Sequence, residues 1–114
     1  MSAAIVNQKL LGLIEMDADG VVLYSRIERD DRHLFSTNIT GRNFYTEVAP
    51  FQNIEEFQKC LESFMQSSQQ ANSITFTCQY DDGPLKVKVL LARVRERSEG
   101  DVSKSILMHI RKAQ

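Results

Sequence analysis

Tryptophan is absent from this 114-residue chain, and cysteine, histidine and proline occur only twice each. Cys60 and Cys78 lack the Cys-x-x-Cys spacing of a redox or zinc motif, so two reduced thiols packed as small hydrophobes are expected, in a cytoplasmic protein. His33 and His109 are far apart in sequence and cannot supply a convergent metal-ligand set with those thiols, so no metal is expected. Charge of one sign is not in excess: the formal net charge is −1, which gives no electrostatic reason to bind nucleic acid or an anionic membrane. Long apolar runs are missing too, so no segment reaches the roughly 18–20 residues that cross a bilayer. Met1 to Leu13 has neither the basic start nor the apolar stretch of a secretory leader. No nucleophile elbow, phosphate loop, dinucleotide fingerprint or nucleophile–base set can be assembled, and an enzyme is not expected.

What is present is one domain's worth of alternating elements. Leu10 to Met16 and Val21-Val22-Leu23-Tyr24 are two apolar runs about Asp17-Ala18-Asp19-Gly20, which predicts a hairpin. The Asp-x-Asp-Gly start suggests calcium, but Val21 and Leu23 stand where an EF-hand loop needs polar or ligating residues, so a plain turn is expected. From Ser25 to Val48 no period dominates, and short helical turns and loops are expected. Asn53-Ile54-Glu55-Glu56 reads as a capping box opening a helix whose apolar face is Ile54, Phe57, Leu61, Phe64 and Met65. Ser67-Ser68-Gln69-Gln70 is expected to be soft.

Three strands follow by their period of two. Ile74, Phe76, Cys78 and Tyr80 share one face; Asp81-Asp82-Gly83-Pro84 turns; Leu85, Val87, Val89 and Leu91 share the next. That strand is expected to end in a polar loop from Arg95 to Asp101, before a last strand with Ile106, Met108 and Ile110. The fold class is α+β: a five-stranded antiparallel sheet with helices packed on one face, spanning residues 10–112 after a short N-terminal segment, 1–9.

The run Gly41-Arg42-Asn43-Phe44-Tyr45-Thr46-Glu47-Val48-Ala49-Pro50-Phe51 resembles a segment of the PAS sensor family, most closely of the photoactive yellow proteins. There a similar run is followed directly by the cysteine that carries the chromophore, and here that place holds Phe51. Flavin-binding light-oxygen-voltage PAS domains share Gly-Arg-Asn but continue with the cysteine that attacks the flavin, where this chain has Phe44. Asp17-Ala18-Asp19-Gly20-Val21-Val22 is similar to the first hairpin of many PAS domains. Phe76-Thr77-Cys78-Gln79-Tyr80 with Leu85-Lys86-Val87-Lys88-Val89 is similar to paired strands of photoactive yellow proteins. The resemblance implies a PAS fold with strand order 2-1-5-4-3, no covalent chromophore, and neither haem nor flavin, since no histidine lies on the long helix. The tyrosine and glutamate that hold the chromophore phenolate fall on Ser25 and Arg29 counting from Gly20, or on Tyr24 and Glu28 counting from Gly41.

Tyr24, Ser25, Arg29, Asn43, Phe44, Phe51 and Phe57 are therefore the residues expected around a pocket between the long helix and the sheet. The bulk of Phe51 favours a cavity filled by the protein's own rings; a small non-covalent ligand is the alternative. Leu90, Ala92, Val94, Leu107 and His109 should point the other way, onto an outer sheet face more apolar than a solvated one. A homodimer or a signalling partner is expected there. His33 is expected to be a solvated loop residue. Arg93, Arg95 and Arg97 read as a solvated strand end, with an acidic partner as the alternative.

Overall fold

A computed structural model describes residues 9–28, 39–98 and 101–113. Five strands, β1 (Gly12–Asp17), β2 (Val22–Ile27), β3 (Ala71–Tyr80), β4 (Gly83–Ser98) and β5 (Asp101–Lys112), form one antiparallel sheet in the order β2-β1-β5-β4-β3. The helix α1 (Ile54–Gln66) and a single π-helical turn (Phe44–Val48) cover one face. This is the expected architecture, including the strand order.

The pleat decides which side chains go inward. Ile14 and Met16 on β1, Cys78 and Tyr80 on β3, Val87, Val89 and Leu91 on β4, and Ile106, Met108 and Ile110 on β5 are all buried. From above, Phe44, Phe51, Phe57, Leu61 and Phe64 close on them. The helical spacing of Phe57, Leu61 and Phe64 makes α1 amphipathic, and it buries those three as expected.

Four local expectations are corrected. β2 runs on to Ile27, because its backbone pairs with β1 as far as Gly12 opposite Ile27, whatever the side-chain pattern. β4 and β5 likewise continue through the segment expected as a polar loop, in register to Ser98 opposite Asp101; ladder hydrogen bonds do not require apolar side chains. Asn53 precedes α1 but does not cap it with its side chain. Its amide instead donates to the Thr77 carbonyl at 2.8 Å and its Oδ1 accepts from the Gln79 N–H at 3.0 Å, so β3 outcompetes the helix for it.

Arg93 is the fourth correction. It shares the inward parity of Val89 and Leu91 and is not a solvated strand end. Its guanidinium donates to the carbonyls of Phe64 at 2.7 Å, Met65 at 3.0 Å, Ser67, and Gln69 at 2.6 Å, and lies 5.1 Å from the centroid of the Phe64 ring. These are the orphan carbonyls of the α1 terminus and the chain just beyond it, where a cation is also favoured by the helix dipole. The segment expected to be soft is therefore tied to β4. The side chains of Arg95 and Arg97 lie outside the described residues.

Arg93→Met keeps the stem over Phe64 and removes the donors. It should cost about 2–3 kcal/mol of stability in urea denaturation, the scale for charged hydrogen bonds, and speed amide exchange at the end of α1.

Candidate functional site

The two stretches that carry the family resemblance meet in space. Gly41 N–H donates to the Val22 carbonyl at 2.8 Å, Val22 N–H to the Arg42 carbonyl at 2.9 Å, and Phe44 N–H to the Gly20 carbonyl at 2.7 Å. The first hairpin thus serves as the seat for the chain that enters the helical cover. Its turn is held by Asp17, whose Oδ1 accepts from the N–H groups of Asp19 and Val21 at 2.9 and 3.0 Å, an Asx-type turn rather than a cation loop. Gly20 has φ +92°, and a Cβ there would come within 2.7 Å of the Tyr45 ring. Only glycine tolerates both the backbone and the close approach.

Asn43 closes the joint. Its Oδ1 accepts from the N–H groups of Tyr45 at 2.9 Å and Thr46 at 3.2 Å, and its Nδ2 donates to the Asp19 carbonyl at 3.1 Å. An asparagine serves because one side chain must both accept and donate. Expected as a pocket residue, Asn43 is instead spent on capping the π-helical turn and fastening it to the hairpin.

Behind this joint several rings of the expected pocket region pack on one another. Phe57 lies 6.0 Å from Phe44, 5.4 Å from Phe51 and 5.0 Å from Phe76, centroid to centroid, and Phe51 lies 5.8 Å from Tyr80. Most of these contacts are edge-to-face, the favoured geometry for aromatic quadrupoles. The Tyr80 hydroxyl accepts from the Leu10 N–H at 2.9 Å, and Lys9 stands over the Tyr80 ring while pairing with Asp82 at 2.7 Å. The pocket expectation therefore divides. Phe44, Phe51 and Phe57 converge as foreseen, and Ser25 is half-buried, opposite the inward-facing Ile14. Tyr24 is corrected: it sits opposite Glu15 on the other side of the sheet, 47% exposed, because the register shifts between Glu15 and Met16. Arg29 and His33 lie outside the described residues.

The polar groups near these rings are held neutral. Burial pushes the Cys78 thiol up from 9.0 to about 12 and the Tyr80 hydroxyl from 10.0 to about 12. Burial, helped by the charge of Glu62, does the same to Tyr45, whose buried hydroxyl has no hydrogen-bond partner among the described residues. Neither thiol is in a disulfide; Cys60 is exposed on α1 and Cys78 buried under it. Among the described residues no cluster of three or more His, Cys, Asp or Glu could hold a metal, and no helix is long and apolar enough to cross a membrane.

None of the described residues covers the opposite face. Strand register sets Ser73, Leu90, His109 and Leu13 in one row across the sheet, and Ala71, Ala92, Leu107 and Glu15 in the next. All of these but Glu15 line an open, mostly apolar depression of about 500 Å³, and Leu90 is 40% exposed. Leu90, Ala92, Leu107 and His109, expected on one outward face, do share it, and Val94 continues it opposite Ser105.

A photoactive yellow protein of Halochromatium salexigens is 32% identical over 90 residues, covering 78% of this chain and 72% of that protein. The chain belongs to the photoactive yellow protein family. The PAS domain of an HTR-like protein from Haloarcula marismortui superposes with a TM-score of 0.51 over 97% of this chain and 87% of that one at 20% identity, which shows the PAS fold. No family profile matches the sequence.

Two outcomes follow from the joint and the buried acids. Asn43→Ala should cost about 1–2 kcal/mol in urea denaturation, as loss of a side-chain cap does, and Asn43→Asp less, since it keeps the acceptor. The raised groups stay protonated in the folded chain while the unfolded chain loses its protons from pH 9 (thiol) and 10 (phenols), so stability should be full below pH 9 and fall up to about pH 12. Cys78→Ala should be less stable at pH 7 yet show a flatter decline between pH 9 and 10, measured as urea midpoints.

Proposed function

We propose that this chain is a non-catalytic, non-photoactive PAS signalling domain that works by protein contact through the outer face of its sheet. It pairs there with a second copy or docks on a signalling partner. The observation that carries this is the apolar depression about Leu90 and Leu107 on the central strands, which none of the described residues covers. Central strands with two partly apolar faces are ordinarily covered on both. Support from the other side of the sheet is chemical. Photoactivity in this family needs a cysteine that Phe51 replaces, and Phe51 is buried against Phe57, Phe76 and Tyr80. A phenylalanine side chain forms no thioester, and its bulk takes up space a pigment would use. Haem, flavin and metal have no part in this reading.

Signalling then needs no ligand: association at the outer face is the event, and β4 carries it to α1 through Arg93, which lies between the outward Ala92 and Val94. The test is native mass spectrometry with sedimentation velocity on wild type and on Leu90→Glu with Leu107→Glu. The expected result is no retained small molecule, self-association or partner capture by the wild type, and a folded double variant that has lost it. A double variant that assembles unchanged would remove the outer face from the contact. A non-covalent adduct lost on denaturation would replace the reading with a ligand sensor working between α1 and the sheet.

A further inference from the structure

Beside the apolar depression the same face turns strongly cationic. Lys86, Lys88 and Arg111 on that face, with Thr75, Ala113 and Lys112 (which has the inward parity of Ile110), line a second open depression of about 520 Å³ that has no acidic residue in its wall. Lys88 lies directly opposite Arg111 across the β4–β5 ladder, and Lys86 is two residues along from Lys88. All four cations are exposed, and among the described residues none has a carboxylate partner. Like charges directly opposite each other destabilise a strand pair.

The ordinary reason for lysine on a sheet does not apply here. Edge strands carry lysine to block pairing with another sheet, but β5 is the central strand of five and β4 has a neighbour on each side. Lys86 and Lys88 on β4 therefore guard no edge, whereas Arg111 lies one residue beyond Ile110, where the pairing of β5 with β1 ends. The cations also adjoin the apolar rows without a break, since Lys88 precedes the exposed Leu90 by one outward position and Arg111 follows His109 in the same way.

Resting on the reading of this face as a contact surface, we infer that its occupant is an amphipathic segment of another protein, apolar along one side and acidic at one end. The acidic end lies over Lys86, Lys88 and Arg111, and the apolar side lies in the depression about Leu90 and Leu107. From Lys86 to Val94 is eight strand steps, roughly 26 Å at about 3.3 Å each, the length of a helix of ~17 residues. A second copy is disfavoured when its strands run parallel to the first, because the two cationic ends would then stack. Acid at a helix N-terminus complements the helix dipole, so the favoured polarity puts the partner's first turn over the cations.

The experiment uses a fluorescein-labelled helical peptide of ~17 residues with leucine along one side and four glutamates in its first two turns, titrated with the whole chain and read by anisotropy. The expected result is saturable binding, weakened at least tenfold by Lys88→Glu with Arg111→Glu, by Leu90→Ser with Leu107→Ser, or by lysine in place of the peptide's glutamates. It should also weaken between low and high salt, as charged contacts do. Sensitivity to the leucines alone would leave the contact face standing and overturn the acidic partner. Sensitivity to charge alone, or tighter binding of single-stranded DNA than of the peptide, would overturn the amphipathic segment. Loss at neither pair of sites, or no binding, would overturn both the inference and the face. A stable dimer that excludes the peptide would make a second copy the occupant and overturn the inference alone.

Discussion

Phe57 is the point on which the fold closes. Among the described residues one helix and one short turn cover a five-stranded sheet, and small side chains would leave the gap between them open. Phe57 is fully buried and meets Phe44 from the turn, Phe51 from the linker and Phe76 from β3. Each ring brings 150–250 Å² of surface on the usual scale, so four of them fill what a single helix cannot. The rings give no direction of their own, because burial is non-directional. Direction comes from polar bonds at the two ends of α1: Asn53 on β3 before it and Arg93 on β4 after it. Apolar packing holds the helix down, and those two residues decide where it lies.

Much of this was legible in the sequence. The alternation of Ile74 to Tyr80, Leu85 to Leu91 and Ile106 to Ile110 carried both the strands and their inward faces, because the pleat has a strict period. The face of α1 was legible for the same reason, in the spacing of Phe57, Leu61 and Phe64. The strand order came with the family resemblance, and Phe44, Phe51 and Phe57 converge where it implied.

The misses have one kind of cause: local patterns compete with partners that only the fold brings near. Asn53 looks like a helix cap because the Gln79 amide is 26 residues away in sequence. Tyr24 looks like a pocket residue until a one-residue irregularity in the β1–β2 register turns it outward. The length of the β4–β5 hairpin was hidden because backbone pairing does not show in side-chain hydropathy. Arg93 did leave a signal, being an arginine at the inward parity of a strand that otherwise buries Val87, Val89 and Leu91. A cation at such a position needs carbonyls or carboxylates close by, and the C-terminus of the preceding helix supplies four.

A PAS sheet has two faces, and a covalent pigment weighs on the balance between them. A covalent chromophore requires an inner cavity and a nucleophile, and makes the inner face the place where a signal begins. Phe51 adds a ring to a cluster that already includes Phe57 and Tyr80. What stays unsatisfied is on the other side. Leu90 is exposed, and Lys88 and Arg111 face each other across the β4–β5 ladder. Selection for stability alone would place neutral or opposite-charged pairs there. On the proposed reading of this face, an occupant apolar along one side and acidic at one end offsets that cost.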